Sequence, residues 1–269
     1  MAKKTTKVKT ERKEISFMGC KFYVKVNAGK FEKELARVQE IFSKGFENLS
    51  HDDKLELLKL YRPAFHDSGK IEGATSLDST AGNCEFCKQI REANKDNPDC
   101  ICLHCYDMKQ EKRWIDVLNR HTLNMLIMMH VEFSIEELKT LTITQITRVN
   151  SSGDTPNQTY AENMIKIAYA FPWAKIGYWA KNVSAVIKAC DKLGKPENLI
   201  LVQSSYIIGF TAKKAKYFNY VFTVYKDEAS TLEAIANGAS ECNGKKCDDC
   251  GWKCYFGTHE SDNIAEVLR

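Results

Sequence analysis

The 269-residue sequence contains no run of about 18 consecutive apolar residues, the length that a helix needs to cross a bilayer. Its lysine-rich start also lacks the apolar segment of a signal peptide. We therefore expect a cytoplasmic protein with no membrane partner. Hydrophobic residues make up 43% of the chain, which is enough to fill a substantial core, so the fold should be globular.

A strong excess of one charge is also missing, because 39 basic residues face 35 acidic ones. Residues 1–14 hold six basic and two acidic side chains, which accounts for the whole net charge of +4. A duplex-binding domain usually carries its basic excess on the folded part, where it neutralises phosphates. We interpret residues 1–14 as a disordered basic tail, with an arm that contacts nucleic acid as the alternative.

Three common functional motifs are absent, namely the G-x-S-x-G elbow, the H-E-x-x-H helix and the G-x-x-x-x-G-K-[ST] loop. Their absence excludes the commonest hydrolase, metalloprotease and nucleotide-binding classes. Cysteine, in contrast, is abundant, with eleven residues. Disulfides are rare in the cytoplasm, so this number indicates metal binding.

The first part of the chain, residues 15–63, is predicted to form a small α+β module. Alternating apolar residues over 18–26 predict a half-buried strand, and helical spacing follows over 30–48. Ser50 and Asp53 form a plausible capping box at the start of a second helix.

Residues 64–269 are predicted to form an α/β domain. The segment 64–107 has little periodicity, so metal ligation would have to organise much of it, and a buried helix follows over 114–129. Thr155 is the expected cap of the first helix that follows a strand. Four apolar strands alternate with helices, at 145–150, 175–180, 199–203 and 220–225. This alternation favours a parallel sheet, and we expect a partial β/α barrel.

Polar residues follow the first three of these strands, and ligands of parallel sheets bind at those ends. Asp154 and Lys181 are the candidate acid or base residues. Polar residues also simply begin loops, which is the alternative interpretation. The candidate cofactor-binding residues are Asn150, Ser152, Gly153, Gln203 and Ser204.

Nine cysteines fall into two clusters, because Cys20 and Cys190 lie on apolar faces and are assigned to packing. The distal cluster (242–254) has the spacing C-x4-C-x2-C-x3-C. Its first three spacings match plant-type ferredoxin ligation, so an iron-sulfur cluster is favoured over zinc. The predicted ligands are Cys242, Cys247, Cys250 and Cys254.

The proximal cluster (84–105) allows two ligand sets. With Cys84, its spacing C-x2-C-x14-C-x2-C approaches that of a zinc ribbon. If the ligands are only Cys87, Cys102 and Cys105, the metal keeps an open coordination position. This arrangement favours a catalytic role for the metal. The spacing does not decide between these sets, and Cys100 is spare in both.

Several segments in order resemble the gene product 88 family of phages and prophages, over about residues 66–269. They are GKIEGATSLDST, C-x14-C-x2-C-Y ending at Tyr106, RVNSSGD, WAKN, PENLILVQSS, YVFTVY and C-x4-C-x2-C-x3-C-Y ending at Tyr255. This family is similar in turn to radical S-adenosylmethionine proteins, more distantly.

The second resemblance implies a catalytic [4Fe-4S] cluster on Cys87, Cys102 and Cys105, and an auxiliary cluster on the four distal cysteines. It also implies that S-adenosylmethionine binds at the strand end 151–154, with Lys181 facing the same cavity. We therefore expect an iron-sulfur enzyme with an unknown substrate. The alternative is a zinc-binding protein that associates with nucleic acid.

Overall fold

The structure is a computed structural model that describes residues 12–25, 29–242 and 244–268. Residues 1–11 of the predicted tail and Val26 of the first predicted strand lie outside this range. The strands are β1 (Arg12–Phe17), β2 (Cys20–Lys25), β3 (Ala64–Phe65), β4 (Thr75–Leu77), β5 (Ile146–Val149), β6 (Lys175–Ala180), β7 (Leu199–Ser204), β8 (Tyr220–Tyr225), β9 (Ser240–Glu241) and β10 (Asn263–Val267).

Helices lie between most of these strands. They are α1 (Lys30–Phe42), α2 (His51–Leu60), α3 (Glu85–Ala93), α4 (Tyr106–Arg113), α5 (Ile115–His130), α6 (Ile135–Leu138), α7 (Gln158–Ala170), α8 (Val183–Leu193), α9 (Glu228–Ala236) and α10 (Lys253–Phe256). Short 3-10 helices cover Phe46–Asn48, Ile101–His104 and Asp248–Cys250. Within the described ranges, no helix is both long and apolar enough to cross a membrane.

The main sheet has eight strands in the order β3-β4-β5-β6-β7-β8-β10-β9. Every pair is parallel except β3 with β4, which is antiparallel. Five of the six residues of β6 and of β7 are buried, as expected for strands covered on both faces. The prediction of an α/β fold with a parallel sheet is confirmed, including its four strands.

The start of the chain differs from the sequence prediction. Residues 12–14, which we assigned to the tail, belong to β1, which pairs with β2 in a hairpin. The predicted strand begins too early, because Met18 lies in the turn with φ of 51°. The alternating apolar pattern continues through the turn, so the pattern does not indicate where the turn ends and the strand begins. The capping box of Ser50 and Asp53 on α2 is confirmed.

The first helices do not enclose a core of their own. Phe22 of β2 and Leu57 of α2 belong to one continuous hydrophobic cluster with Leu126 of α5 and Ile165 of α7. Cys20 and Cys190 are 4% and 1% exposed in this cluster, which confirms their assignment to packing. The N-terminal elements therefore pack as part of the α/β unit.

Two local predictions need correction. The segment 64–107 contains α3, whose partly buried Phe86 packs against the core. The cap of α7 is Asn157, whose side chain accepts from the backbone N–H of Tyr160 at 2.9 Å, and not Thr155. The Thr155 hydroxyl instead contacts the Tyr178 hydroxyl at 2.7 Å inside the core.

Candidate metal and small-molecule site

A cavity of about 280 Å³ lies at the carboxyl ends of β5, β6 and β7. Five of the predicted strand-end residues line it, and so do Cys102 and Cys105 of the proximal cluster. Those five are Asn150, Gly153, Asp154, Lys181 and Ser204. Residues up to 54 positions apart, from Asn150 to Ser204, therefore meet at one site, because parallel strands end at the same edge of the sheet.

Asp154 joins the ends of β5 and β6. Its carboxylate accepts the backbone N–H of Lys181 at 3.0 Å, and those of Thr155 and Asn182 at 2.7 and 3.3 Å. Burial raises the pKa of Asp154, while Lys181 and these backbone donors oppose the rise. With so many bonds to the backbone, Asp154 orients the start of α8 and holds the neighbouring ammonium.

Lys181 lines the same cavity as Asp154 and two of the proximal thiols. Its Nζ is 3.8 Å from Asp154 Oδ2. Burial alone would lower the pKa of Lys181, but Asp154, Cys102, Cys87 and Cys105 outweigh it and raise the pKa. The three cysteines that influence the ammonium are the three that the sequence singled out as an open ligand set, and two of them, Cys102 and Cys105, line the same cavity.

Gly153 allows the turn after β5 to approach the segment after β4. A Cβ at Gly153 would lie 2.3 Å from Ser79 Oγ, and its φ of +74° is in the left-handed region. Asp78 accepts from Ser151 Oγ at 2.7 Å and from the Ser152 N–H at 2.9 Å. The segments TSLDST and NSSGD are therefore two halves of one turn structure.

Two of the predicted cofactor-binding residues are not among those that line the cavity. Ser152 is buried under Asp78, to which its N–H donates. Gln203 accepts from the Ala215 N–H at 2.9 Å and donates to the Lys213 carbonyl at 3.3 Å. Its side chain supports a neighbouring loop, whereas the next residue, Ser204, lines the cavity.

The proximal segment is anchored to the loop after β7. The Ile101 N–H donates to the Tyr206 carbonyl at 2.9 Å, and the Ile208 N–H donates to the Asp99 carbonyl at 2.8 Å. These bonds hold Cys102 beside the strand ends. Burial raises the pKa of the Cys102 thiol to about 11.

Cys84 and Cys87 lie at the start of α3. The interaction between their thiols lowers the pKa of Cys84 and raises that of Cys87. Cys84 is fully buried in the main core and Cys100 is also fully buried. Cys87 is thus the member of this pair that also interacts with Lys181.

The four distal cysteines line a second, smaller cavity of about 70 Å³. Burial raises the pKa of the Cys247 thiol to about 11, and it raises the pKa of Cys242 and Cys254 as well. Tyr255 seals the inner side and packs on β6, where a Cβ at Gly177 would lie 3.0 Å from its ring.

Lys70 anchors the distal segment to the rest of the fold. Its carbonyl accepts the Cys247 N–H at 2.8 Å, and its Nζ is 2.7 Å from Glu266 Oε1 on β10. Lys246 also pairs with Glu72 at 2.8 Å. The GKIEG segment therefore supports the distal cysteines and leads directly into β4.

The two cavities share one wall, made of Arg148, Trp179, Phe222 and Glu266. The Arg148 guanidinium lies 4.1 Å from the centre of the Trp179 ring. Its Nε is buried and has no hydrogen-bond partner among the described residues. Arg148 therefore places a positive charge between the two groups of cysteines.

Sequence reasoning missed several residues of the site. Arg148 could have been found, because a charged residue inside a short apolar strand points to a polar face. Asp107 lines the cavity, and burial together with Asp78 and Glu111 raises its pKa to about 6. It follows Cys105 by two residues, but nothing in the sequence pattern distinguishes it from a surface residue.

The metal ligands stay predictions. Among the residues that the structure describes, no group of three or more His, Cys, Asp or Glu side chains is arranged to hold a metal ion. The donor chemistry nevertheless fits such a centre, because four thiols line one small cavity and two more line the larger cavity beside Lys181.

Fold and site together define an α/β protein with a mostly parallel sheet and a cysteine-lined cavity at its strand ends. The family model described as Gene product 88 matches residues 52–255, more than half of the chain, and the chain belongs to that family. The match begins inside α2, earlier than the resemblance indicated. No curated protein and no solved structure matches the chain significantly.

Proposed function

We propose that this protein is an iron-sulfur enzyme in which Cys87, Cys102 and Cys105 hold a cluster beside a small-molecule site. The observation that carries the proposal is that Cys102 and Cys105 line the 280 Å³ cavity together with Lys181, whose charge all three thiols influence. A cluster with one iron left free by the protein would supply electrons and a position where a substrate or cofactor binds.

The chain's own residues would bind and orient that small molecule. Asp107 offers a carboxylate, and Lys181 and Arg148 offer positive charges in the wall of the cavity. S-adenosylmethionine carries an ammonium and a carboxylate, which complement these charges, so it is our candidate for the small molecule. Asp154 would hold Lys181 in place rather than react itself, since backbone N–H groups occupy its oxygens.

The strand order supports a partial barrel as the setting of this site. Strands β4 to β8 are parallel, and each pairs with the strand that precedes it in the chain. Barrels wind in this progressive way, whereas doubly wound sheets reverse direction at a switch point. The four distal cysteines would hold a second, fully ligated cluster in the smaller cavity, which shares a wall with the site.

Anaerobic purification followed by iron, sulfide and zinc analysis tests the proposal. We expect iron and sulfide for two clusters, and the loss of about half of both in Cys105→Ser. Cys190→Ser, in the core of α8, is the matched control and should keep both clusters. Two zinc ions with no iron would overturn the proposal.

Zinc is the second candidate, and the contact between Cys84 and Cys87 favours it. Those two thiols would complete a four-cysteine site with Cys102 and Cys105, as in a structural zinc site. The protein would then associate with nucleic acid through its basic tail. Cys84→Ser should release one zinc in this case, and deletion of residues 1–11, which leaves β1 whole, should weaken a salt-dependent affinity for DNA or RNA.

A further inference from the structure

His259 lies in the same cavity as the four distal cysteines, five residues beyond the last of them. Its Nε2 is 3.1 Å from the Sγ atom of Cys254, within hydrogen-bond distance of a sulfur acceptor. Sequence spacing did not indicate this residue, because a single histidine in a loop carries no ligand pattern.

Tyr220 of β8 fixes the orientation of the His259 ring. The His259 backbone N–H donates to the Tyr220 hydroxyl at 3.2 Å. The two rings meet edge to face, with centres 5.0 Å apart and planes at 76°. The imidazole is therefore held against Cys254 by contacts that do not involve the cysteine.

The surroundings of the ring also determine where its proton lies. Nδ1 is buried and has no partner in the described part of the chain. A proton on Nδ1 would leave a buried donor unsatisfied, at a cost of about 1–3 kcal/mol. A proton on Nε2 has the Cys254 sulfur as acceptor. The neutral ring should therefore carry its proton on Nε2.

We propose that His259 donates a hydrogen bond from Nε2 to the Cys254 thiolate and thereby raises the reduction potential of the distal metal centre. This inference rests on the proposed iron-sulfur function. Reduction adds negative charge to a cluster and its sulfur ligands, and a donor to one of those sulfurs stabilises that charge. His259 is then a positioning residue that acts through Cys254.

A redox titration followed by electron paramagnetic resonance tests the proposal on the anaerobically purified full chain. His259→Phe keeps a ring against Tyr220 but removes the donor, and should lower the potential of the distal cluster at unchanged iron content. His259→Gln keeps an N–H donor and should give an intermediate value. An unchanged potential in His259→Phe, with both clusters present, would overturn the proposal.

His104→Phe is the matched control, because this histidine also lies beside a cysteine but its Nε2 contacts the Pro98 carbonyl at 3.0 Å. It should leave the distal potential unchanged. Nitrogen-15 chemical shifts of the His259 ring in the zinc-loaded chain, where Cys254 is a thiolate, give a second readout that needs no iron. A proton found on Nδ1 would refute the hydrogen bond. A wild-type chain without iron would refute the proposed function and the claim about potential, while the ring shifts still decide the hydrogen bond.

Discussion

Replacing Gly153 by alanine should destabilise the protein strongly. The backbone of Gly153 has φ of +74°, where an L side chain costs about 1–2 kcal/mol. The new Cβ would also lie 2.5 Å from the Ser79 backbone carbon, which has to move. That movement weakens the bonds from Ser79 Oγ to Asp154 and from the Ser79 N–H to Ser152, at about 1 kcal/mol each. The expected loss in free energy of unfolding is about 3 kcal/mol.

Urea unfolding followed by circular dichroism measures this loss. Gly209→Ala is the matched control, because its φ is +72° and a Cβ there would meet no atom of the described residues within 4 Å, apart from its chain neighbours. The control should lose only the backbone cost, about 1–2 kcal/mol. Equal losses in the two variants would refute the idea that the approach of Ser79 requires glycine at position 153.

Three further predictions use the same unfolding assay. Asn157→Ala removes the cap of α7 and should cost about 1 kcal/mol. Glu111→Ala leaves the buried N–H of Ala81 and the half-buried N–H of Gly82 without their acceptor and should cost about 3 kcal/mol, more than Glu111→Gln. Burial opposes the charged form of Glu34, but Arg120 and Arg62 outweigh it and lower its pKa. The ionised Glu34 side chain therefore stabilises the fold above the ordinary glutamate pKa of about 4.3, and this stabilisation is lost as the pH falls below that value. Glu34→Gln should reduce the decrease in the free energy of unfolding at acidic pH.

The sequence predicted the strands that are buried on both faces, because such strands are continuous apolar runs. It missed β10, whose sequence NIAEV mixes polar and apolar residues, although β10 lies between β8 and β9. It also missed β9, which has only two residues. Both lie at the edge of the sheet that ends with β9. There the strands are defined by main-chain pairing and not by an apolar run.

The candidate site was predicted in its position but not in all its side chains. Successive residues of a strand point to opposite faces, so Gln203 and Ser204 were not both able to line one cavity. The same alternation places Arg148 and Asn150 on the cavity side, with Val149 in the core between them. Asp107 and His259 reach their cavities through chain folding that no local pattern encodes.

Arg148 provides a test of whether the two cysteine clusters depend on each other. Its guanidinium lies in the wall between the cavities and stacks on Trp179. Thiolates and their metal clusters carry negative charge. A positive charge in the shared, partly buried wall would stabilise this charge. Arg148→Met should therefore lower the metal content of both centres. Arg113→Met is the matched control, since Arg113 also stacks on a tryptophan, 5.2 Å from the Trp114 ring centre, but is exposed. If Arg148→Met kept full metal content at both centres, the shared wall would be a packing feature without an electrostatic role.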